Sequence, residues 1–247
     1  MESAMRNIAV VLAGGSGRRF GSGQPKQFLE ICGRTAVEHC VDAFEKNTHI
    51  DEIAVVVHPD HLHTMEELAR VNSWRKAGRI LPGGAERHLS TLSAINAFHG
   101  LDNANIILHD AARPAVSQQV INRVAEALAD FEAVAVAIPA ADTIFEVRDD
   151  IVANIPERRL LRCAQTPQAF RLEIIRKAYS KALKDNNFNC TDDCGIVLKY
   201  CPDVKIKTVP GELSNLKITY PEDLKIVEGF LSQAPDFQCY TASDFPQ

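Results

Sequence analysis

The sequence predicts an α/β fold with a single, doubly wound and mostly parallel sheet, on three observations. Short apolar runs rich in β-branched residues recur along the chain without polar alternation, which is the pattern of strands that are covered on both faces. Segments with helical spacing lie between these runs. The first run leads directly into a glycine-rich loop, and such sheets bind their ligands at the carboxyl ends of strands.

Four apolar runs are predicted to be buried strands. They are NIAVVLA (7–13), EIAVVVH (52–58), NIILHD (105–110) and AVAVAIP (133–139). Helical spacing relates Ile121, Val124 and Leu128, and also Leu172, Ile175, Tyr179 and Ala182. The order of strands and helices implies parallel strands that are joined by helical crossovers.

Residues 140–161 break this alternation. Two short apolar runs, TIFEV and IVANI, flank the polar step Arg148-Asp149-Asp150, which predicts a β-hairpin with a polar turn. An isolated hairpin is barely stable in water, so we expect this arm to pack against a second subunit. The alternative is an arm that folds against its own domain.

Near the C-terminus, Thr219 and Glu222 fit a capping box, with Pro221 in the first helical turn. NLKIT (215–219) is therefore predicted to be a strand end that brings Lys217 to the start of a helix. Residues 232–247 are rich in Pro, Asp, Ser and Gln, which predicts a loosely attached tail.

Length and composition limit the class of protein. With 247 residues, 46% of them apolar, the chain can bury one full-sized core, so we expect one domain over residues 1–231 with the arm included. The formal net charge of -5 argues against a nucleic-acid partner. No apolar run approaches the ~20 residues of a membrane span, and the start of the chain lacks a signal-peptide cleavage pattern. These features predict a cytoplasmic protein without a membrane partner.

The cysteine pattern predicts free thiols in a reducing compartment, because seven cysteines are an odd number scattered through a long chain. A zinc site at Cys190 and Cys194 is disfavoured, since no second pair or histidine is near them in the sequence. The histidines of HPDHLH (58–63) lack a carboxylate at helical spacing, so this stretch is interpreted as a turn that opens a helix.

The loop after the first strand, VLAGGSGRRFGSGQPKQF (11–28), combines glycines with basic residues. Backbone N–H groups of such a loop can converge on an anion, and the basic side chains add charge where phosphate oxygens lie. The loop lacks the third glycine of the dinucleotide fingerprint and the Gly-Lys-Ser/Thr of a P-loop. A triphosphate is the predicted guest, and a tight strand-to-helix turn is the alternative.

Five stretches, in order, carry a resemblance to a known family. LAGGSGRRFGSGQPKQF, HDAARP (109–114), ADTI (141–144), QTPQAF (165–170) and NLKIT resemble the cytidylyltransferases that act on 2-C-methyl-D-erythritol 4-phosphate or D-ribitol 5-phosphate. The resemblance runs from about Ile8 to Leu231. It implies a Rossmann-like nucleotidyltransferase fold with a protruding hairpin arm, and a reaction in which CTP and a polyol phosphate give a CDP-polyol and pyrophosphate with Mg²⁺.

The resemblance also implies the residues of the nucleotide site. Arg19, Lys26 and Lys217 would act as catalytic cations around the triphosphate, with a solvated loop or strand-end charge as the alternative for each. The CTP contacts carried over from the family are Ala13, Gly14, Gly15, Ser16, Gly17, Gly83, Gly84, Ser90 and Ala112. Many relatives have an acidic residue directly after the glycine pair of PGGAERHLSTL (82–92), whereas this chain has Ala85.

The polyol-phosphate site is implied in the same way. Asp110, at the carboxyl end of a predicted strand, would hold Mg²⁺, which prefers a few carboxylates together with phosphate oxygens. The alternative for Asp110 is a cap on the helix that follows. The residues expected to contact the polyol phosphate are Asp110, Arg113, Thr143, Arg158 and Thr219, with Arg158 also counted as catalytic. In the family the arm crosses to the partner subunit, so we expect a homodimer with shared sites.

Two stretches resemble the ribitol-phosphate branch more than the methylerythritol branch. They are IPERRLLRCAQTPQAF (155–170) and NCTDDCGIVLKY (189–200). Ribitol 5-phosphate is therefore the preferred substrate, and methylerythritol phosphate is the alternative. From other classes, a nicotinamide dehydrogenase and a noncatalytic nucleotide-binding module remain as alternatives.

Overall fold

The computed structural model describes residues 5–15 and 25–232. Its strands are β1 Arg6–Ala13, β2 Glu30–Ile31, β3 Arg34–Thr35, β4 Glu52–Val57, β5 Ala77–Pro82, β6 Ala104–Asp110, β7 Ala133–Pro139, β8 Glu146–Arg148, β9 Ile151–Asn154, β10 Arg162–Arg171 and β11 Ile206–Pro210. Its α-helices are α1 Ala36–Glu45, α2 Leu62–Asn72, α3 Arg87–Ala97, α4 Gln118–Asp130, α5 Leu172–Ala182, α6 Asp193–Tyr200 and α7 Asp223–Ser232.

Seven of these strands form the central sheet, in the order β11-β7-β10-β6-β1-β4-β5. All neighbours pair in parallel except β10, which runs antiparallel to both β6 and β7. The predicted mostly parallel sheet is confirmed, as are the four predicted strands and the two predicted helices, which are α4 and α5. The edge strands β5 and β11 and the antiparallel β10 were not among the predicted strands.

Helices cover both faces of the sheet, and this explains why β1 is apolar and buried at every position from Ile8 to Ala13. Ala9 and Val11 point into a core with residues of α1 and α4. Ile8 and Val10 point to the opposite face, into a core with residues of α3 and α5. Since successive side chains of a strand face opposite sides, a strand between two helix layers needs apolar residues at every position.

The strand order places a ligand crevice at the carboxyl edge of the sheet. From β1 the chain proceeds to β4 and β5 on one side, and it then returns to β6 on the other side of β1. Where strand order reverses in this way, the loops that leave neighbouring strands diverge and open a crevice between them. The carboxyl ends of β1, at Ala13, and β6, at Asp110, border this crevice.

The predicted hairpin is present as the pair β8 and β9. Asp149 and Asp150 form its turn with φ of 48° and 60°, the left-handed backbone that a two-residue type I′ turn requires. The arm is solvent-exposed in the single chain, including its apolar side chains Phe145 and Ile151, of which 53% and 71% are exposed.

The predicted start of the C-terminal helix is wrong. α7 begins at Asp223, and the Asp223 carboxylate accepts hydrogen bonds from the backbone N–H groups of Thr219 (2.7 Å) and Tyr220 (2.8 Å). Glu222 does not take the predicted capping role, because the carboxylate one residue later makes both hydrogen bonds. Residues 215–219 also do not form a strand, although they do bring Lys217 to the crevice. Within the described residues, no helix combines the length and apolar character that a membrane span needs.

Candidate active site

A cavity of about 350 Å³ lies in the crevice between the carboxyl ends of β1 and β6. Its volume falls within the range of small-molecule sites, roughly 300–1,000 Å³. Predicted site residues that line it are Ala13, Gly14, Gly15, Lys26, Gly84, Ser90, Asp110, Ala112 and Lys217. Ser16, Gly17 and Arg19 lie outside the described residues, so their predicted roles stay predictions.

Two of the predicted cations meet in this cavity. The Lys26 ammonium donates hydrogen bonds to the backbone carbonyls of Thr219 (3.1 Å) and Ile218 (3.4 Å), in the segment that carries Lys217. The Lys217 ammonium lies 2.7 Å from Oδ2 of Asp110. Lys26, which follows the loop after β1, and Lys217, which precedes α7, therefore line one cavity. Two cations in one cavity suit an anionic ligand.

Asp110 ends β6 and is held by cations on both carboxylate oxygens. Lys217 contacts Oδ2, and Nε of Arg87 lies 3.2 Å from Oδ1. Burial alone would raise the pKa of the Asp110 carboxyl, but Arg87 and Lys217 outweigh it and hold this pKa well below its usual range. Asp110 does not cap the following helix, because Ser117 caps α4. The carboxylate therefore stays ionised and faces the cavity.

A hydrogen-bonded chain behind Asp110 fixes its backbone. The N–H of Asp110 donates to Oγ1 of Thr166 at 3.1 Å, and this hydroxyl lies 3.0 Å from Nδ1 of His109. Nε2 of His109 lies 3.0 Å from the carbonyl of Arg113. Burial lowers the pKa of His109 to about 4, so the neutral ring donates from Nε2 to the carbonyl and accepts from the hydroxyl at Nδ1.

The loops that carry Gly14 and Gly84 pack tightly on Ser90 of α3 at one side of the cavity. The N–H of Gly84 donates to Oγ of Ser90 at 3.3 Å, and a Cβ at Gly14 would lie 2.7 Å from the same oxygen. Gln27 is buried and donates to the carbonyls of Ala13 (2.7 Å) and Gly15 (3.1 Å). Gly83 lies behind this layer, where its N–H donates to Val57 of β4. These contacts fix the backbone that lines this side of the cavity.

The remaining predicted residues lie outside the cavity of the single chain. The guanidinium of Arg113 donates to the carbonyls of Asn215 (2.8 Å) and Ala164 (3.4 Å). Thr219 donates its hydroxyl to the carbonyl of Lys217 at 3.1 Å. Thr143 and Arg158 are exposed, at the arm and its base, and Arg158 donates to the carbonyl of Ala141 at 3.1 Å.

Sequence reasoning did not assign roles to Arg87, Gln27, His109 or Thr166, although all four fall within stretches that were compared with the family. Arg87 lines the cavity and follows the glycine pair and Glu86. A signal was present for Arg87, since a basic residue three positions after a glycine pair can reach an anion that the glycine-rich turn binds. For Thr166 there was none, because its partner His109 is far away in the sequence.

The other candidates for chemistry stay without a site in the described part of the chain. Its six cysteines are free thiols, and no group of three or more His, Cys, Asp and Glu side chains is placed to hold a metal ion. Pro59–His61 forms a short 3-10 turn that leads into α2, as the sequence predicted for HPDHLH.

Comparison with known proteins assigns the chain to a family. The family model of 2-C-methyl-D-erythritol 4-phosphate cytidylyltransferase (IspD) matches residues 7–233. An enzyme of that name from Thermobifida fusca is 43% identical over 232 residues, which is 92% of this chain and 93% of that protein. A bifunctional ribulose 5-phosphate reductase/CDP-ribitol pyrophosphorylase from Haemophilus influenzae is 40% identical over 94% of this chain and 49% of that protein.

Solved structures agree. The crystal structure of 4-diphosphocytidyl-2C-methyl-D-erythritol synthase from Anaerococcus prevotii superimposes with a TM-score of 0.81 at 30% identity, covering 94% of this chain and 100% of that one. The enzyme of the same family from Thermus thermophilus gives a TM-score of 0.72 at 26% identity, covering 93% and 100%. These matches decide against a dehydrogenase and against a noncatalytic module. The chain belongs to the IspD family and is a cytidylyltransferase, an enzyme that uses CTP as co-substrate.

Proposed function

We propose that this enzyme transfers the cytidylyl group of CTP to D-ribitol 5-phosphate, with Mg²⁺, as a homodimer in which each site is shared. The observation that carries the proposal is the meeting of Lys26, Lys217 and Asp110 in one cavity at the carboxyl edge of the sheet. Cations placed around two anionic reactants are what this transfer needs most.

In the proposed reaction a phosphate oxygen of the polyol phosphate attacks the α-phosphorus of CTP. A new P–O bond forms there, the bond from the α-phosphorus to the β-phosphate oxygen breaks, and pyrophosphate leaves. The attacking oxygen is already anionic, so no side chain has to remove a proton from it. Lys26 and Lys217 would reduce the repulsion between the reactants and stabilise the charge that builds on the α-phosphate.

The loops of the cavity would hold the nucleotide. Backbone N–H groups near Gly14 and Gly15 would face the triphosphate, joined by Ser16, Gly17 and Arg19 outside the described residues. Gly83, Gly84, Ser90 and Ala112 would contact the base and the ribose. The close packing of Gly14 against Ser90 supports a preformed backbone at this place.

Asp110 fits the role of a Mg²⁺ ligand. Among the described residues, Asp110 and Glu86 are the two carboxylates that line the cavity, and nucleotide-bound Mg²⁺ usually takes one or two carboxylates with phosphate oxygens. The low pKa of Asp110 keeps it ionised and able to bind a cation. Bound Mg²⁺ would neutralise phosphate charge, while Asp110 would supply the oxygen that orients it.

Support for the homodimer comes from the arm. Its apolar side chains Phe145, Ile151 and Ile155 are more than half exposed in the single chain, and an exposed apolar surface of this kind needs a partner. Thr143 and Arg158 are exposed near it and absent from the lining of the cavity of their own chain. Arriving from the partner subunit, they would contact the polyol phosphate together with Arg113 and Thr219.

Ribitol is supported by the similarity of residues 155–170 and 189–200 to the ribitol-phosphate branch and by the 40% identity to the CDP-ribitol pyrophosphorylase. A second candidate, 2-C-methyl-D-erythritol 4-phosphate, is favoured by the family model and by the 43% identical relative. The two substrates each have five carbons and one phosphate, but ribitol phosphate is unbranched and has one more hydroxyl group. A methyl branch contributes only about 1–3 kcal/mol of discrimination, so hydrogen bonds to the additional hydroxyl group would contribute more to the choice.

Pyrophosphate release tests the choice of polyol. Purified protein is given CTP, Mg²⁺ and each polyol phosphate in turn, and kcat/KM is compared. A higher kcat/KM with ribitol 5-phosphate supports the proposal. Turnover with methylerythritol phosphate alone selects the second candidate, and turnover with neither rejects both.

Subunit mixing tests the shared site. Arg158→Ala and Lys217→Met homodimers are each expected to be nearly inactive. A heterodimer holds one intact site, formed by Lys217 of one chain and Arg158 of the other. Random mixing in equal amounts should therefore restore about a quarter of wild-type activity, because half of the dimers are heterodimers. Activity that stays at the level of the separate variants contradicts sharing.

A further inference from the structure

Arg87, the first residue of α3, joins two carboxylates that come from distant parts of the chain. Its Nε lies 3.2 Å from Oδ1 of Asp110, and its Nη1 lies 2.5 Å from Oδ2 of Asp193. Burial alone would lower the pKa of the guanidinium, but the two carboxylates reverse this and raise it. Arg87 therefore stays charged and keeps one edge on each carboxylate.

Asp193 forms a rigid support behind Arg87. It is fully buried and begins α6, and its Oδ1 accepts a hydrogen bond from the hydroxyl of Tyr179 at 2.7 Å. Asp193 does not line the cavity, whereas Arg87 and Asp110 do. A buried charged pair is weak evidence for stability, because apolar residues of similar volume often serve equally well. A role in placing another group accounts better for this arrangement.

The two cations on Asp110 differ in how firmly they are held. Lys217 is 46% exposed, and within the described residues its ammonium group hydrogen-bonds to Asp110 alone. Arg87 is 28% exposed and is tied to Asp193 as well. An anionic substrate in the cavity can therefore draw Lys217 away from Asp110 more easily than it can draw Arg87.

We propose that Arg87 is a positioning residue that holds Asp110 toward the cavity when Lys217 turns to substrate phosphate, and that Asp193 anchors it. The inference rests on the proposed roles of Asp110 and Lys217. It also connects residues 189–200, which carry Asp193, to the reacting groups, although that segment contributes no residue to the lining of the cavity.

The deciding variant is Arg87→Lys, which keeps the positive charge but replaces a planar fork by a single ammonium that cannot hold both carboxylates in the same geometry. We expect kcat to fall about 10–100-fold, as for other groups that orient a catalytic ligand. The Kd for CTP, measured by calorimetry without polyol phosphate, should stay close to that of wild type. Asp193→Asn should also lower kcat, because it weakens the anchor of Arg87.

The matched control is Arg123→Lys. Arg123 is 27% exposed and contacts the buried Glu212 at 3.3 Å, so it repeats the burial and pairing of Arg87 away from the cavity. It should lower Tm without lowering kcat.

Each outcome decides the matter. Wild-type kcat in Arg87→Lys overturns the proposal, and so does a loss that appears in the Kd for CTP alone, since that would make Arg87 a direct nucleotide contact. If Asp193→Asn fails to fold, Arg87→Lys still decides. A wild-type enzyme that turns over neither polyol phosphate indicates instead that the proposed function has failed.

Discussion

Lys217 and Asp110, which are 107 positions apart in the sequence, form an ion pair of 2.7 Å at the rim of the cavity. The pair keeps a cation and a carboxylate ready side by side in the free enzyme. In the proposed reaction, substrate phosphate would take the place of Asp110 beside Lys217, and Mg²⁺ would take the place of Lys217 beside Asp110. The ion pair therefore preorganises both groups for an anionic substrate.

This relationship predicts a large effect of Lys217→Met. In the proposed reaction the Lys217 ammonium would stabilise charge on the α-phosphate, and the loss of one such group usually lowers kcat about 10²–10³-fold. Lys225→Met, at an exposed position of α7, is the control and should leave kcat unchanged. Steady-state pyrophosphate release measures both, and equal kcat values for the two variants would reject the role of Lys217.

The sheet could be predicted from the sequence because its central strands are covered on both faces. Val10 and Val11 face opposite cores, so β1 contains a continuous apolar run that needs no context to recognise. The edge strand β5 escaped prediction because residues such as Arg79 are exposed there and interrupt the apolar pattern.

The site was predicted unevenly, for a physical reason. Lys26 and Asp110 lie at strand ends or in glycine loops, where the local sequence marks a ligand edge. Thr166 and Asp193 contact partners that are distant in the sequence and that only the fold brings near. No spacing in the sequence could therefore predict their roles. The helix start was missed at Asp223 because a carboxylate at either of two neighbouring positions satisfies the same sequence pattern.

Thr166→Val should impair catalysis more than its small change in volume suggests. Valine can neither accept a hydrogen bond from the N–H of Asp110 nor donate one to Nδ1 of His109. Two buried polar groups then lose their partners, and each loss lowers the free energy of unfolding by about 1–3 kcal/mol. We expect a lower Tm and a lower kcat. Thr166→Ser keeps the hydroxyl and should retain most of both. Thermal melts and kinetics compare the pair, and similar losses in the two variants would indicate that the hydroxyl has no special role.

Gly84→Ala should destabilise the loop between β5 and α3, which lines the cavity. A Cβ at Gly84 would lie 2.2 Å from Cβ of Leu89, well inside van der Waals contact. Overpacking of this kind costs about 1–3 kcal/mol in unfolding free energy. Gly100→Ala is the control, because nothing lies within 4 Å of its added Cβ. Chemical denaturation of both variants tests the prediction, which an unchanged free energy of unfolding for Gly84→Ala would contradict.

Metal removal provides the last test, and it concerns Asp110. CTP and a polyol phosphate repel each other, and in the proposed reaction Lys26 and Lys217 would supply only part of the charge that must offset this repulsion. Excess EDTA is therefore expected to abolish pyrophosphate release, and added Mg²⁺ in excess of the chelator should restore it. Asp110→Asn should need a higher Mg²⁺ concentration for half-maximal rate, since an amide binds Mg²⁺ more weakly than a carboxylate.

The Tm of the nucleotide-free protein should not change with EDTA, which serves as the control for a structural metal. Undiminished turnover in excess EDTA would remove both Mg²⁺ and the metal-binding role of Asp110 from the mechanism.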